Sequence, residues 1–219
     1  MTEIEIASNL SALIPTLKLS CIESTVKTEE INEQLWDKIS EKITEINTNL
    51  QVDEISKLPA IAASRKGYKV CGKDPARYRL SAEALLRRVL KRKKIYQVNN
   101  VVDLLNLVSI STGFSIGGYD AEKINGNVEF GIGKKQEPYE GIGRGELNIE
   151  FMPVFRDQTG AFGTPTSDSV RTCVTAETKR FLMIIIDYGT TSLNLATQMA
   201  VDLLKEYAGA TDIELKNIN

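Results

Sequence analysis

Apolar positions along the chain follow two periods, and the change between them divides it. In the first half the step is three or four. Ile31, Leu35, Ile39, Ile43 and Ile46 lay one stripe along a helix entered at Thr28, with Trp36 beside it. Before that helix, Leu17, Leu19 and Cys21 alternate with polar residues and run on through Ile22 to Val26, the pattern of a strand. A second helix is expected from Asp53 to about Arg65, interrupted near Pro59. A third runs from Ser81 to about Lys94. Ser81 is its expected N-cap, Glu83 sits in the first turn, and Leu85, Leu86, Val89 and Leu90 form its buried face. The next, through Val101, Val102, Leu104, Leu105, Leu107, Val108 and Ile110, is apolar almost all round and stops at Gly113. Such a helix is buried on nearly every side.

Past Gly113 the period shortens to two. Gly117-Gly118 reads as a turn, and Asn125-Gly126-Asn127 as a tight turn into Val128, Phe130 and Ile132. Further turns at Lys134-Lys135 and Gly141 to Gly145 alternate with strands at Leu147 to Ile149 and Pro153 to Phe155. A long loop rich in small and polar residues, 157–178, leads to Phe181 to Ile186, a strand buried on both faces. A closing helix from about Ser192 to Tyr207 is stopped by Gly209, and the tail from Thr211 is expected to be loosely attached. Helices mixed with mainly antiparallel strands make the fold class α+β. The expected division is 1–59, a strand and helices packed on the core; 60–210, the main unit; and 211–219, the tail, all in one compact body.

Length and composition narrow the class. With 219 residues, 42% of them hydrophobic, the chain can bury one sizeable core. Its longest purely apolar run is far too short to span a bilayer, and Met1-Thr2-Glu3-Ile4-Glu5 has no basic or apolar leader, so a soluble, cytoplasmic protein is expected. Lys plus Arg total 27 against 29 for Asp plus Glu, so any nucleic-acid binding must come from a local patch. One dense patch exists: Arg77, Arg79, Arg87, Arg88, Lys91 and Arg92, continued by Lys93 and Lys94. It reads either as phosphate-binding or as a solvated helix end that compensates the dipole.

Cys21, Cys71 and Cys173 are odd in number and far apart, which argues against a disulfide framework or a paired-cysteine zinc site. The chain contains no histidine, which removes the serine–histidine triad, the commonest general base and every histidine metal site. Chemistry here falls to carboxylates, hydroxyls, backbone groups, water or the substrate, with no cofactor and no metal expected. Gly141-Ile142-Gly143-Arg144-Gly145 lacks the Gly-Lys-Ser/Thr ending of a phosphate loop and no helical pattern follows it. Asn99, Asp103 and Asn106, four and three apart, stack a carboxylate and two amides on one face of the apolar helix. Polar groups there must be paired or face a pocket. If a pocket, the stretch able to complete it is the loop with Thr166, Ser167, Asp168 and Arg171; Gly117 and Gly118 would let backbone approach a ligand, and Glu140, Asp168 or Asp103 would bond a substrate hydroxyl.

Asp74-Pro75-Ala76-Arg77-Tyr78-Arg79, then Ser81 through Arg88, then Asn99-Asn100-Val101-Val102-Asp103, and Gly113 through Tyr119-Asp120 together resemble the tRNA-binding and editing domain within the beta subunit of bacterial phenylalanyl-tRNA synthetase, and more closely its free-standing relatives. The resemblance covers roughly residues 60 to 207. It implies a layered fold containing a β-sandwich of unusual topology with packed helices. It also implies a module that accepts the tRNA 3′ end bearing a wrong amino acid and cleaves the ester in trans, since 219 residues hold no aminoacylation machinery. Where that domain commonly has a histidine, this chain has Gly117, so the imidazole's role does not transfer. The partner expected is tRNA or its aminoacylated 3′ end; the alternative is a non-catalytic binder of a free amino acid or related small molecule. Oligomeric state is not legible.

Overall fold

One strand sorts its side chains into two cores. In the computed structural model, which describes residues 1–219, the stretch Arg180–Asp187 is extended and every residue from Phe181 on is buried. Phe181, Met183 and Ile185 belong to a core of helices, whereas Leu182, Ile184 and Ile186 belong to a second core lying between two sheets. Alternation with period two, applied to an unbroken apolar run, gives this outcome when both faces are covered. Each such side chain taken from water contributes on the order of 1.5–3 kcal/mol.

In chain order the elements are β1 (Ile4–Ile6), α1 (Ser8–Leu13), β2 (Lys18–Thr25), α2 (Glu33–Asn49), α3 (Pro59–Val70), α4 (Ser81–Leu90), α5 (Asn100–Thr112) and β3 (Ser115–Asp120). They continue with β4 (Val128–Ile132), β5 (Glu140–Gly141), β6 (Gly145–Glu146), β7 (Pro153–Arg156), β8 (Ala161–Gly163), β9 (Arg180–Asp187), α6 (Leu193–Ala208) and β10 (Thr211–Ile218). One sheet runs β10-β2-β9-β3 and is antiparallel throughout; the other runs β1-β4-β7-β8, with β1 parallel to β4. Val128, Phe130, Phe155 and Phe162 of the second sheet meet Leu19, Cys21 and the even-numbered residues of β9. Helices α2, α4, α5 and α6 cover the opposite face of the first sheet. The fold is α+β in three layers, helices on sheet on sheet, and no helix is long and apolar enough to cross a membrane.

Several boundaries differ from those the sequence predicts. Asn32, not Thr28, caps α2, its side chain accepting the Leu35 N–H at 3.0 Å, and Ile31 is left exposed outside the helix. Ser81 does not cap α4; its N–H is taken by the Pro165 carbonyl at 2.8 Å instead. The helix ends at Leu90, four residues early, because Arg92 turns left-handed at φ 55°. Gly117 and Gly118 do not turn; they lie in β3. The tail is not loose, since β10 pairs with β2 from Thr211 to Ile218. By contrast α5 starts and stops where its pattern says, capped by Asn99 and closed by Gly113 at φ 79°.

The glycines of β3 serve packing. A Cβ on Gly117, or on Gly163 in β8, would stand 2.1 Å from Tyr119 Oη. The fully buried phenol thus lies in a slot between the two sheets that these bare backbones leave open, edge-on to Phe162 with ring centroids 5.0 Å apart. The space that the missing Gly117 side chain leaves is filled by Tyr119 itself. Gly117→Ala or Gly163→Ala should cost about 1–3 kcal/mol by overpacking. Adding Tyr119→Phe removes the clashing oxygen and should restore most of that loss in denaturant melts.

Candidate functional site

The open edge of β3 is closed by the 164–169 loop, which is stitched down by its own polar groups. Thr164 Oγ1 accepts the N–H groups of Thr166 and Ser167, at 3.2 and 3.0 Å, and donates to the Ser167 carbonyl. Tyr139 Oη donates to that same carbonyl at 2.6 Å, and Tyr68 Oη pairs with Thr166 Oγ1 at 2.9 Å. Asp168 Oδ2 accepts the Gly118 N–H at 3.2 Å, and the Asp168 carbonyl accepts the Ile142 N–H at 2.9 Å. Strand, loop and the β5–β6 hairpin are therefore joined at Asp168. Burial pushes its carboxyl up to about 7, opposed by the Gly118 N–H and the nearby Tyr119 hydroxyl.

Beneath the β5–β6 hairpin, and walled by residues 135–140, 146–148, 150, 159–161 and 169–171, lies a cleft of about 970 Å³. Lys73 anchors one segment of its wall. Only 7% exposed, it donates to the carbonyls of Asn148 and Glu150 at 2.9 and 2.7 Å and lies 3.9 Å from the centroid of the Tyr78 ring. Two arginines at the cleft are already engaged, while Arg144 in the hairpin turn makes no ion pair. Arg171 makes a two-pronged pair with Asp157, at 3.0 and 2.8 Å, and Arg156 another with Glu137, at 2.7 and 2.8 Å. Burial would raise the pKa values of Asp157 and Glu137, but hydrogen bonds and charge from these arginines, with backbone N–H donors, hold both below the usual carboxylate range.

Glu140, Glu146 and Glu150 line the cleft without an ion-pair partner, against one lysine, Lys135. Glu140 and Glu146 are direct partners in the β5–β6 ladder. Side chains opposite one another on a ladder share a face, and like charges so placed repel. The arrangement suits a cation between them.

The structure separates the residues that the sequence groups together. Glu140 and Arg171 line the cleft, and Thr166, Ser167 and Asp168 form the loop that backs it, with Gly117 and Gly118 on the strand behind. Asn99, Asp103 and Asn106 do not line it. Asn99 caps α5; Asp103 accepts Trp36 Nε1 at 2.8 Å and the Val98 N–H at 3.0 Å; Asn106 is half-buried and makes no hydrogen bond. Asn99 and Asp103 are staples, and Asn100, adjacent to the stripe, does most of the stapling, to Glu29, Lys27 and Tyr207. A stripe read from spacing alone cannot show that an indole on α2 supplies its partner.

The basic patch divides likewise. Glu83, 1% exposed, binds Arg65 at 2.7 Å and Arg87 at 2.9 Å, with Arg79 at 3.7 Å. Arg88 donates to the Lys94 carbonyl and lies over the Tyr96 ring, and Arg77 lies 5.5 Å from the centroid of the Tyr78 ring. Lys91 and Arg92, with Lys93 and Lys94, stand exposed and make no ion pair. Sequence reasoning missed Lys73, Tyr139 and Glu146. Strands of two residues carry no period, and a lysine bonded to carbonyls leaves no spacing signal.

A helix-covered sheet packed on a second sheet, with an acidic cleft under a small hairpin, defines an α+β module. A family model for the B3/4 domain matches residues 63–189, and the chain belongs to that family. Among solved structures it is similar to an N-terminal fragment of the phenylalanyl-tRNA synthetase beta subunit from Pyrococcus horikoshii, at 15% identity and a TM-score of 0.48, covering 99% of this chain and 50% of that one. This chain spans about half the length of that structure. No curated protein matches it.

Because the Asp168 pKa is raised in the fold, the folded state holds a proton there that the unfolded chain has released between about pH 4 and 7. This stabilisation is complete below the unfolded pKa and is lost as pH rises through about 7, a change of at most about 4 kcal/mol. Asp168→Asn should flatten that slope. Melting temperatures across pH 5 to 8 for both forms would show it, and parallel curves would exclude Asp168 as the source.

Proposed function

We propose that the chain binds the aminoacylated 3′ end of tRNA in the cleft beneath the β5–β6 hairpin and hydrolyses the ester in trans. Membership of the B3/4 family supports this reading, and the observation that carries it is the Glu140–Glu146 pair. An aminoacyl ester presents a free ammonium and has no carboxylate. A free amino acid carries both, and here its carboxylate meets surplus negative charge, with Arg156 and Arg171 committed elsewhere. The ester is therefore favoured over the free amino acid. A cleft of about 970 Å³ lies at the upper end of the range of roughly 300–1,000 Å³ usual for small-molecule sites. With no histidine in the chain, proton transfer falls to carboxylates, water and the neighbouring ribose hydroxyl of the substrate.

The test is release of amino acid from tRNA charged with a panel of amino acids, and from aminoacyl-adenosine, which carries the reacting group alone. Glu140→Gln with Glu146→Gln should raise KM while the fold gains about 0.2–1 kcal/mol from relieved repulsion. Release no faster than spontaneous hydrolysis for every species would remove the enzymatic claim. Thermal stabilisation by free amino acids, with none by a non-hydrolysable aminoacyl-adenosine amide, would transfer the cleft to the amino-acid-binding reading.

A further inference from the structure

Between α2 and the end of α4 lies a second depression, of about 520 Å³, with no carboxylate in its lining. One wall carries Arg92, Lys93 and Lys94, all exposed and free of ion pairs. The other is the face of α2 bearing Thr44, Asn47 and Thr48. Thr44 and Thr48 donate their hydroxyls to carbonyls four residues back, each at 2.9 Å, and Asn47 Nδ2 does the same at 2.9 Å. The hydroxyl donors are spent, and apart from the second Asn47 amide hydrogen what these side chains still have to give is acceptor lone pairs. Cations thus face acceptors across the groove. Two residues beyond Lys94, Tyr96 stands 69% exposed, with the Arg88 guanidinium 4.1 Å from its ring centroid and most of its surface open. Arg92 holds φ 55° where glycine would sit unstrained.

We propose that this groove holds the ribose–phosphate backbone of single-stranded RNA: phosphates on Arg92, Lys93 and Lys94, a 2′-hydroxyl donating to the oxygens of α2, and a base stacked on Tyr96. DNA has the phosphates without that donor, and inorganic phosphate has no planar group for Tyr96. The α2 wall, residues 44–48, lies outside the 63–189 stretch that matches the B3/4 domain, whereas Arg92, Lys93 and Lys94 lie within it. The inference rests on the reading that the chain handles RNA, but its test needs no aminoacyl group.

Fluorescence anisotropy of the full chain with a labelled unstructured RNA of about 12 nucleotides and its DNA counterpart, over a salt series, reads it directly. RNA should bind more tightly than DNA. Tyr96→Ala should weaken RNA binding by about 5- to 150-fold, the loss of one stacked base. Arg92→Gly should reduce the salt slope by about 0.7 while the melting temperature holds or rises, because glycine relieves the left-handed turn. Equal affinity for RNA and DNA, or an unmoved slope in Arg92→Gly, overturns the proposal. Hydrolysis of aminoacyl-adenosine without oligonucleotide binding removes the groove and leaves the cleft reading standing; oligonucleotide binding through these residues without hydrolysis does the reverse.

Discussion

The rest of the structure depends on β9 being covered on both faces. Its odd-numbered side chains need helices and its even-numbered ones need a second sheet, so neither layer can be absent without exposing three large apolar groups. The chain meets this demand from both ends. β2, paired with β9 along eight residues, comes from the N-terminal segment, and β10 extends the same sheet from the C-terminus. Neither lies within the residues that match the B3/4 domain, yet the first sheet would lose two of its four strands without them. The segments outside the family match are structural parts of this fold.

What was legible in the sequence follows the length and regularity of each element. The stripe from Leu35 to Ile46, the apolar helix at Val101 and the run at Phe181 each repeat their period often enough to be unambiguous, and α2, α5 and β9 appear there. β1, α1, β5 and β6 have two to six residues each and show no period, although Leu10 of α1 is wholly buried in the inter-sheet core. The β3 glycines misled for a different reason. Gly-Gly is a turn signal, but here each glycine answers a tertiary requirement, Gly117 beneath the Tyr119 phenol and Gly118 against Leu105 and Phe181.

The candidate site shows the same limit in electrostatic form. Polar residues on an apolar helix demand partners, and spacing alone does not say whether a ligand or the protein supplies them. For Asn99, Asn100 and Asp103 the protein does, through the Val102 N–H, Trp36 and the loops at 27–29 and 98. The arginines at 65, 79 and 87 are likewise drawn to Glu83, a carboxylate that burial makes costly to leave unpaired. Counting charges along the sequence finds the cluster. Only the fold shows which charges are left over.

Those left over have opposite signs in two places. The cleft keeps unpaired glutamates, and the groove beside α4 keeps unpaired cations. A protein near neutrality overall could have cancelled these charges locally, as it does at Glu83 and at Asp157, so their separation constrains the ligands that fit. An amine at one site and a polyanion at the other are the chemistries matched to them. Salt acts unequally on the two. Releasing counterions from an RNA backbone gives a steep logarithmic dependence at the groove, whereas a single ammonium between two carboxylates is merely screened, over about 8–10 Å at ordinary ionic strength. A ligand with both ends should therefore lose affinity steeply with salt but keep its preference for the ammonium-bearing end nearly unchanged. Under the reading proposed above, aminoacyl-RNA would be that ligand, its two ends meeting surfaces of opposite charge.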